Sequence, residues 1–153
     1  MKPEGIRIRL MMGRDFGAVV AIDEKVHKKR REEYYDMKFD KLVQSADYVP
    51  TSLVAETTEG RVVGFVMGGL FVGEYGISKE LATLDTIGVD PDFQGGGLGA
   101  LLLDEFMAHL KTLGVEKLNT LVDDRDGKLT RFFTSHGFAP SRTINLERVL
   151  DIK

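Results

Sequence analysis

The chain contains no cysteine, carries little net charge and lacks a long apolar run. The absence of cysteine among its 153 residues excludes disulfides, thiolate zinc sites and a cysteine acyl-enzyme intermediate. A net charge of −3 gives no support to a nucleic-acid or membrane partner, and we expect neither. The longest nearly apolar run, 62–73, is too short to span a bilayer, and the first ten residues hold no apolar signal segment. We therefore expect a cytoplasmic protein.

Histidines and basic residues are also too few or too scattered to form a recognisable site. His27, His109 and His136 show no metal-ligand spacing, so we expect no metal site. The basic run within 25–31 passes directly into two glutamates, which is typical of a solvated helix face.

The order of predicted elements indicates one domain, residues 1–153, because no repeat or linker interrupts the chain. Ile6, Ile8 and Leu10 alternate with arginines, which predicts a half-buried strand. The pattern then predicts four helices, at about 15–26, 31–44, 98–113 and 127–136. It predicts five further strands, at about 53–56, 61–70, 81–89, 115–122 and 143–150. The strands at 81–89 and 115–122 should run parallel, because a helix joins them.

A glycine-rich stretch, QGGGLGA from Gln94 to Ala100, lies between the strand ending near Val89 and the helix that runs to Leu113. The first amides of a helix lack intrahelical partners, and the helix dipole places partial positive charge beside them. Glycines also let the backbone approach a phosphate closely. The stretch is therefore typical of a phosphate-binding turn.

Two common phosphate-binding motifs fit this stretch poorly. A P-loop requires Lys followed by Ser or Thr after its glycines, and neither pair occurs here. Gly95, Gly97 and Ala100 match the G-x-G-x-x-[GA] pattern of dinucleotide-binding domains. That pattern follows its strand directly, however, whereas residues 90–94 intervene here. A nucleotide-binding redox domain stays a minor alternative.

The segment from Leu84 to Leu118 resembles the acetyl-coenzyme A binding core of the Gcn5-related N-acetyltransferase (GNAT) superfamily. That core has a strand ending in apolar-x-Val-x-Pro, followed by [QR]-x-x-G-x-[GA] at a helix start. The matching residues, in order, are Ile87, Val89, Pro91, Gln94, Gly97 and Gly99. A later family motif, N-x-x-A-x-x-F-Y-x-x-x-G-F, corresponds to Asp126, Leu129, Phe132, Phe133, Gly137 and Phe138, which keep its end but not its Asn, Ala or Tyr.

The resemblance implies an α/β (α+β) acetyltransferase fold, with a mixed, mostly antiparallel central sheet, a splayed parallel strand pair and flanking helices. It implies acetyl-coenzyme A as cosubstrate, entering the gap between the strands near Val89 and Val115. Backbone groups of Ile87 and Val89 would meet the pantetheine arm. The remaining implied cofactor residues are Gln94, Gly95, Gly96, Gly97, Leu98, Gly99 and Ala100 at the pyrophosphate, together with Asp126 and Phe133.

The implied reaction is direct transfer of an acetyl group to a primary amine of a small molecule, protein or peptide. Because the amine arrives protonated, it needs a base or a water relay. Asp85 is the first candidate, and its spacing predicts a face shared with Thr83, Ile87 and Val89. An acid in an apolar strand is costly unless it is paired or functional, so a purely structural role is the alternative. Glu74, in the loop before this strand, is the second candidate base.

Phe133 stands where family members often carry a tyrosine that protonates the leaving thiolate. Phenylalanine cannot donate a proton, so solvent or another donor must serve, with Tyr34, Tyr35 and Tyr75 as candidates. This departure leaves a second function open, a non-catalytic acyl-coenzyme A binding or sensing module. The sequence specifies neither the acceptor amine nor the oligomeric state, and it leaves a homodimer open.

Overall fold

The computed structural model describes residues 5–44, 49–70 and 81–151, which contain five strands and four α-helices. The elements are β1 (Ile6–Leu10), α1 (Phe16–His27), α2 (Glu32–Leu42), β2 (Leu53–Thr57), β3 (Val62–Leu70), β4 (Leu81–Val89), α3 (Leu98–Thr112), β5 (Lys117–Thr120) and α4 (Gly127–Ser135). The chain up to Leu121 forms one compact unit and the chain from Val122 a second. The single-domain expectation stays a prediction.

The strands form one sheet in the order β1-β2-β3-β4-β5. The first four pair antiparallel, and β4 pairs parallel with β5. This confirms the predicted mixed, mostly antiparallel sheet. The parallel ladder joins residues 81–84 of β4 to residues 117–120 of β5, and the hydroxyl of Thr120 donates to the carbonyl oxygen of Leu84 at 2.9 Å. Within the described residues, no strand pairs with this edge of β4 beyond Leu84.

Both faces of β3 are buried because helices cover the sheet on each side. On one face, Val19, Val20 and Ile22 of α1 and Tyr35 and Phe39 of α2 form a core with Phe65 and Met67. On the other face, α3 presents Leu98, Leu102, Phe106 and Leu110, spaced one turn apart. Glycines on β3 permit this approach: a Cβ at Gly64 would lie 2.9 Å from Leu102 Cδ1, and one at Gly68 would lie 2.8 Å from Phe106 Cζ.

Most predicted elements are confirmed, with differences at their ends. Gly114 follows α3 with a φ of +83°, the left-handed conformation predicted for it. The strand predicted at 115–122 is shorter, because its ladder with β4 covers only 117–120. None of the described helices is both long and apolar enough to cross a membrane.

The strand expected at 143–150 is wrong, because the structure describes these residues as irregular chain. Ile144, Leu146, Val149 and Leu150 are 72–86% exposed. Alternating apolar residues favour an extended backbone, but a strand also requires a neighbour that takes up its hydrogen bonds. The sequence pattern could predict the first of these conditions and not the second.

Candidate functional site

The glycine-rich turn joins the end of β4 to α3 and has open space around its backbone. Gly95 and Gly97 have φ values of +87° and +83°, which favour glycine. A Cβ added at any of the three consecutive glycines, 95–97, would meet no atom within 4 Å. Gly97 is the N-cap of α3, so the amides of the next three residues have no carbonyl partner inside the helix. The turn therefore has the free amides, positive helix end and space that an anion site needs.

Asp90 is buried directly after β4 and holds the first residues of this turn in place. Its N–H donates to the carbonyl oxygen of Val63 at 2.8 Å, and its Oδ1 accepts from the N–H of Asp92 at 3.0 Å. Its Oδ2 lies 3.0 Å from both Lys25 Nζ and Arg61 Nη2. Burial raises the pKa of Asp90, but the Asp92 amide and the two cations outweigh burial and hold the pKa below its ordinary value.

Sequence reasoning missed Asp90, although a signal for it was present. Asp90 directly precedes Pro91, and an aspartate before proline is a common start for a turn that its side chain closes. Its two cationic partners lie 65 and 29 residues away along the chain, and no local pattern indicates them.

Gln94 also holds the turn in place. Its side-chain Nε2 donates to the carbonyl oxygen of Val89 at 3.0 Å, which bends the turn back onto the end of β4. The side chain thus has a structural partner in the protein itself. Contact between Gln94 and a cofactor stays a prediction.

Asp85 is the extra residue of a β-bulge. Met67 of β3 pairs with Thr86, and the next residue, Gly68, pairs with Leu84. Asp85 therefore has no opposite residue on β3, and the alternation of side chains along β4 changes at this point. Because Leu84 is the last residue paired with β5, Asp85 is also the first residue of the free edge of β4.

Because of this bulge, the expectation that Asp85, Ile87 and Val89 share a face is wrong. Residues paired across an antiparallel ladder project to the same face, and Val89 pairs with Gly64, which faces Leu102 of α3. Ile87 and Val89 therefore lie on the α3 face. Asp85 instead contacts α2, on the opposite face of the sheet. The inserted residue is the physical reason, since it shifts the two-residue period by one.

On the α2 face, Asp85 takes part in a half-buried ion pair. Its Oδ2 lies 2.9 Å from Lys38 Nζ, and its Oδ1 accepts from the hydroxyl of Thr83 at 3.3 Å. The contact with Thr83 confirms that these two side chains share a face. The side chains of Asp85 and Lys38 keep 20% and 22% of their surface exposed. Lys38 Nζ also lies 5.5 Å from the ring centroid of Tyr34.

A buried polar network lies beside this ion pair and joins α1, α2 and β4. The hydroxyl of Tyr35 donates to Asp23 Oδ1 at 2.8 Å and lies 3.1 Å from the hydroxyl of Thr86. Arg31 donates to both carboxylate oxygens of Asp23, at 2.9 and 2.6 Å. Burial, which is complete for this side chain, raises the pKa of Tyr35 well above its ordinary value. Tyr35 is therefore committed to the core and is a poor proton donor for a ligand.

Tyr34 and Tyr75 are the other two candidate proton donors. Tyr34 is half-buried, and burial raises its pKa above the ordinary value. Tyr75 and the candidate base Glu74 lie outside the described residues, so their assignments stay predictions.

In the second unit, Asp126 and Phe133 have clear local roles. Asp126 is the N-cap of α4, and its Oδ1 accepts from the N–H of Leu129 at 3.0 Å. A cap of this kind explains an aspartate here without a ligand. Phe133 is buried, with ring centroids 5.3 Å from Phe132 and 5.0 Å from Phe138. Cofactor contacts by Asp126 and Phe133 stay predictions.

Over residues 5–44, 49–70 and 81–151, no group of three histidine, aspartate or glutamate side chains is arranged to hold a metal ion.

Comparison with known proteins gives a family match and several relatives. Residues 18–138 match the family model described as "Acetyltransferase (GNAT) family". A mycothiol acetyltransferase of Saccharomonospora viridis is 31% identical over 156 aligned residues, which cover 92% of this chain and 48% of the relative. A [ribosomal protein bS18]-alanine N-acetyltransferase of Salmonella typhimurium is 34% identical over 82 residues, covering 54% of this chain and 51% of the relative. The chain spans about half the length of the curated relatives it matches.

Solved structures confirm the fold. The ribosomal-protein-S18-alanine N-acetyltransferase of Escherichia coli superposes with a TM-score of 0.71 at 24% identity, covering 89% of this chain and 79% of that chain. An aminoglycoside N-acetyltransferase in complex with CoA superposes with a TM-score of 0.74 at 16% identity, covering 97% of this chain and 99% of that chain.

Proposed function

Because this chain belongs to the acetyltransferase (GNAT) family, we propose that it transfers an acetyl group from acetyl-coenzyme A directly to a primary amine. The observation that carries the proposal is the combination of the open glycine turn before α3 with the free edge of β4. The turn offers amides and a positive helix end to a pyrophosphate. The strand edge offers backbone groups to the amides of a pantetheine arm, much as a sheet edge accepts an added strand.

The dimensions of β4 fit a ligand held in this way. Asp85 lies four positions before Val89 on the extended strand, so roughly 13 Å of strand joins it to the end beside the glycine turn. An extended pantetheine arm is of comparable length. With the pyrophosphate at the turn and the arm along the free edge, the reactive end lies near Asp85. Because residues 95–97 of the turn are glycines, no side chain there fills the space that the pyrophosphate needs.

The chemistry assigns separate tasks to the residues around Asp85. Acetyl-coenzyme A supplies the activated acyl group; a carbon–nitrogen bond forms, the carbon–sulfur bond breaks, and the ammonium must lose a proton. In this proposal Asp85, which contacts Lys38 and Thr83 and is partly exposed, orients the acceptor ammonium or accepts its proton. Tyr35 is committed to Asp23, so in this proposal the proton for the thiolate comes from solvent or from one of the two other candidates, Tyr34 and Tyr75.

A second candidate is a binding module that holds acyl-coenzyme A without turning it over. Two observations favour it: phenylalanine replaces the family's usual tyrosine at Phe133, and Lys38 already occupies the carboxylate of Asp85. The glycine turn would serve this function equally well.

Two measurements test these functions. Calorimetric titration with acetyl-coenzyme A and, in parallel, with NADH identifies the ligand of the glycine turn; we expect binding of acetyl-coenzyme A only. Release of coenzyme A is then followed with a panel of amines, amino acids and peptides that begin with different residues. Release that depends on an amine supports the transferase, whereas tight binding without release for every amine supports the binding module. The acceptor class, a homodimer and a cytoplasmic location stay predictions.

A further inference from the structure

The ion pair between Lys38 and Asp85 lies where the acceptor amine is proposed to bind. Its two atoms are 2.9 Å apart, and each side chain keeps about a fifth of its surface exposed. An acceptor ammonium that reaches Asp85 must share this carboxylate with Lys38 or displace Lys38 from it. Either event places two positive charges a few ångströms apart, where they repel.

Lys38 has no second acidic partner on its own helix. Residues three and four positions away on a helix are its surface neighbours, and for Lys38 these are Tyr34, Tyr35, Lys41 and Leu42. On β4, the groups beside Asp85 are the hydroxyls of Thr83 and Thr86, which carry no charge. In the described part of the chain, the only salt bridge of Lys38 is the one with Asp85. Among the carboxylates of the described residues, a simple cationic amine that takes Asp85 would therefore leave the Lys38 ammonium without a salt-bridge partner.

We infer that Lys38 selects acceptors that carry an anionic group, a carboxylate above all, next to the reacting amine. This inference rests on the proposed acetyl transfer, with Asp85 as the partner of the acceptor ammonium. A free α-amino acid places an ammonium and a carboxylate a few ångströms apart. Its ammonium can pair with the carboxylate of Asp85 while its own carboxylate pairs with the ammonium of Lys38. One ion pair then becomes two, and none of these four charges is left unpaired. Polyamines and aminoglycosides lack this carboxylate.

Matched acceptors test the inference on the unmodified protein. We propose three compounds that share a side chain, namely leucine, leucinamide and isoamylamine, and the corresponding phenylalanine set, with spermidine as a polycation. Coenzyme A release gives kcat/KM for each compound. A charge-assisted hydrogen bond to the carboxylate should favour the free amino acid over its amide and its amine on the order of 10- to 100-fold.

Variants then assign the preference to Lys38. Lys38→Met removes the charge and keeps the chain length, so it should abolish the preference while leaving the Kd for acetyl-coenzyme A unchanged. Lys38→Arg should keep most of the preference. Lys41→Met, on an exposed position of the same helix, is the matched control and should behave like wild type. Melting curves verify that each variant is folded.

The outcomes separate this inference from the function it rests on. Equal kcat/KM for the acid, amide and amine overturns the inference and leaves acetyl transfer standing, as does a preference that survives in Lys38→Met. If Lys38→Met does not fold, the comparison of the three compounds on wild type still decides whether a carboxylate on the acceptor is preferred, and equal values overturn the inference. Failure to bind acetyl-coenzyme A, or to release coenzyme A with any amine, overturns the proposed function, and the inference falls with it.

Discussion

The buried hydroxyl of Tyr35 donates a hydrogen bond of 2.8 Å to Asp23, 12 residues earlier in the chain. This bond ties α2 to α1 at the centre of a network that also reaches Thr86, the residue after Asp85. The network therefore supports the backbone of β4 next to the bulge, and Tyr35 serves the structure instead of the chemistry.

Tyr35→Phe should destabilise the protein by about 1–3 kcal/mol, because it leaves the carboxylate of buried Asp23 and the hydroxyl of half-buried Thr86 with one partner fewer. Chemical denaturation measures this loss. If Tyr35 is only structural, the shape of the pH–rate profile should not change. Tyr34→Phe, at the half-buried neighbouring position, is the control for the loss of stability. An alkaline fall in wild-type turnover that disappears in Tyr35→Phe would contradict a purely structural role.

Gly97→Val should abolish the increase in melting temperature that acetyl-coenzyme A gives to wild type. A ligand that binds only the native state stabilises it by about 2.7 kcal/mol at a hundredfold excess over Kd. Gly60→Val is the matched control, because Gly60 also has a positive φ, +85°, and open space around it, but lies in the turn between β2 and β3. Both variants should lose intrinsic stability, and only Gly97→Val should lose the response to ligand. A full increase in melting temperature in folded Gly97→Val would contradict the assignment of the pyrophosphate to this turn.

Asp85→Asn should lower kcat by about 100-fold or more, the usual contribution of a general base, while the Kd for acetyl-coenzyme A stays unchanged. Steady-state kinetics and calorimetry measure the two quantities. Asp36→Asn, at an exposed acid of α2, is the control and should be neutral. A variant that melts lower but keeps its specific activity would show that Asp85 is only structural. Glu74→Gln is the parallel test of the second candidate base.

Acid should unfold this protein through its buried carboxylates, and Asp90 gives a specific test. The pKa of Asp90 is lowered in the folded state from an ordinary value of 3.8, so its stabilising contribution is complete above 3.8 and is lost as the pH falls through the lower folded value. Asp15 and Asp23 have lowered pKa values as well and add to the same loss.

We expect Asp90→Asn to cost about 1–2 kcal/mol at neutral pH, since its cationic partners Lys25 and Arg61 are about half exposed and screened. The difference from wild type should shrink as the pH drops below 3.8. Urea denaturation between pH 7 and pH 2 measures it, with the exposed Asp104→Asn as control. A difference that is constant over this range would contradict an ionised Asp90 as the anchor of the turn.

The sequence by itself determined the features that depend on neighbouring residues. The apolar period of α3 predicts its buried face, and Gly114 predicts its left-handed end, because both follow from backbone geometry within one or two helical turns. The glycines between Gln94 and Ala100 predict an open turn for the same reason, since only glycine adopts these φ values at little cost. These features were sufficient to indicate the end of the site at which we propose that the cofactor binds.

Only the tertiary structure decided the features that depend on distant partners. The bulge at Asp85 arises from the register between β3 and β4, and it turned this carboxylate away from the face of Ile87 towards Lys38, 47 residues earlier in the chain. The segment 143–150 shows the converse, an alternating sequence that forms no strand. Register and ion pairs are set by which groups meet across the fold, and a local pattern carries no information about the opposite partner.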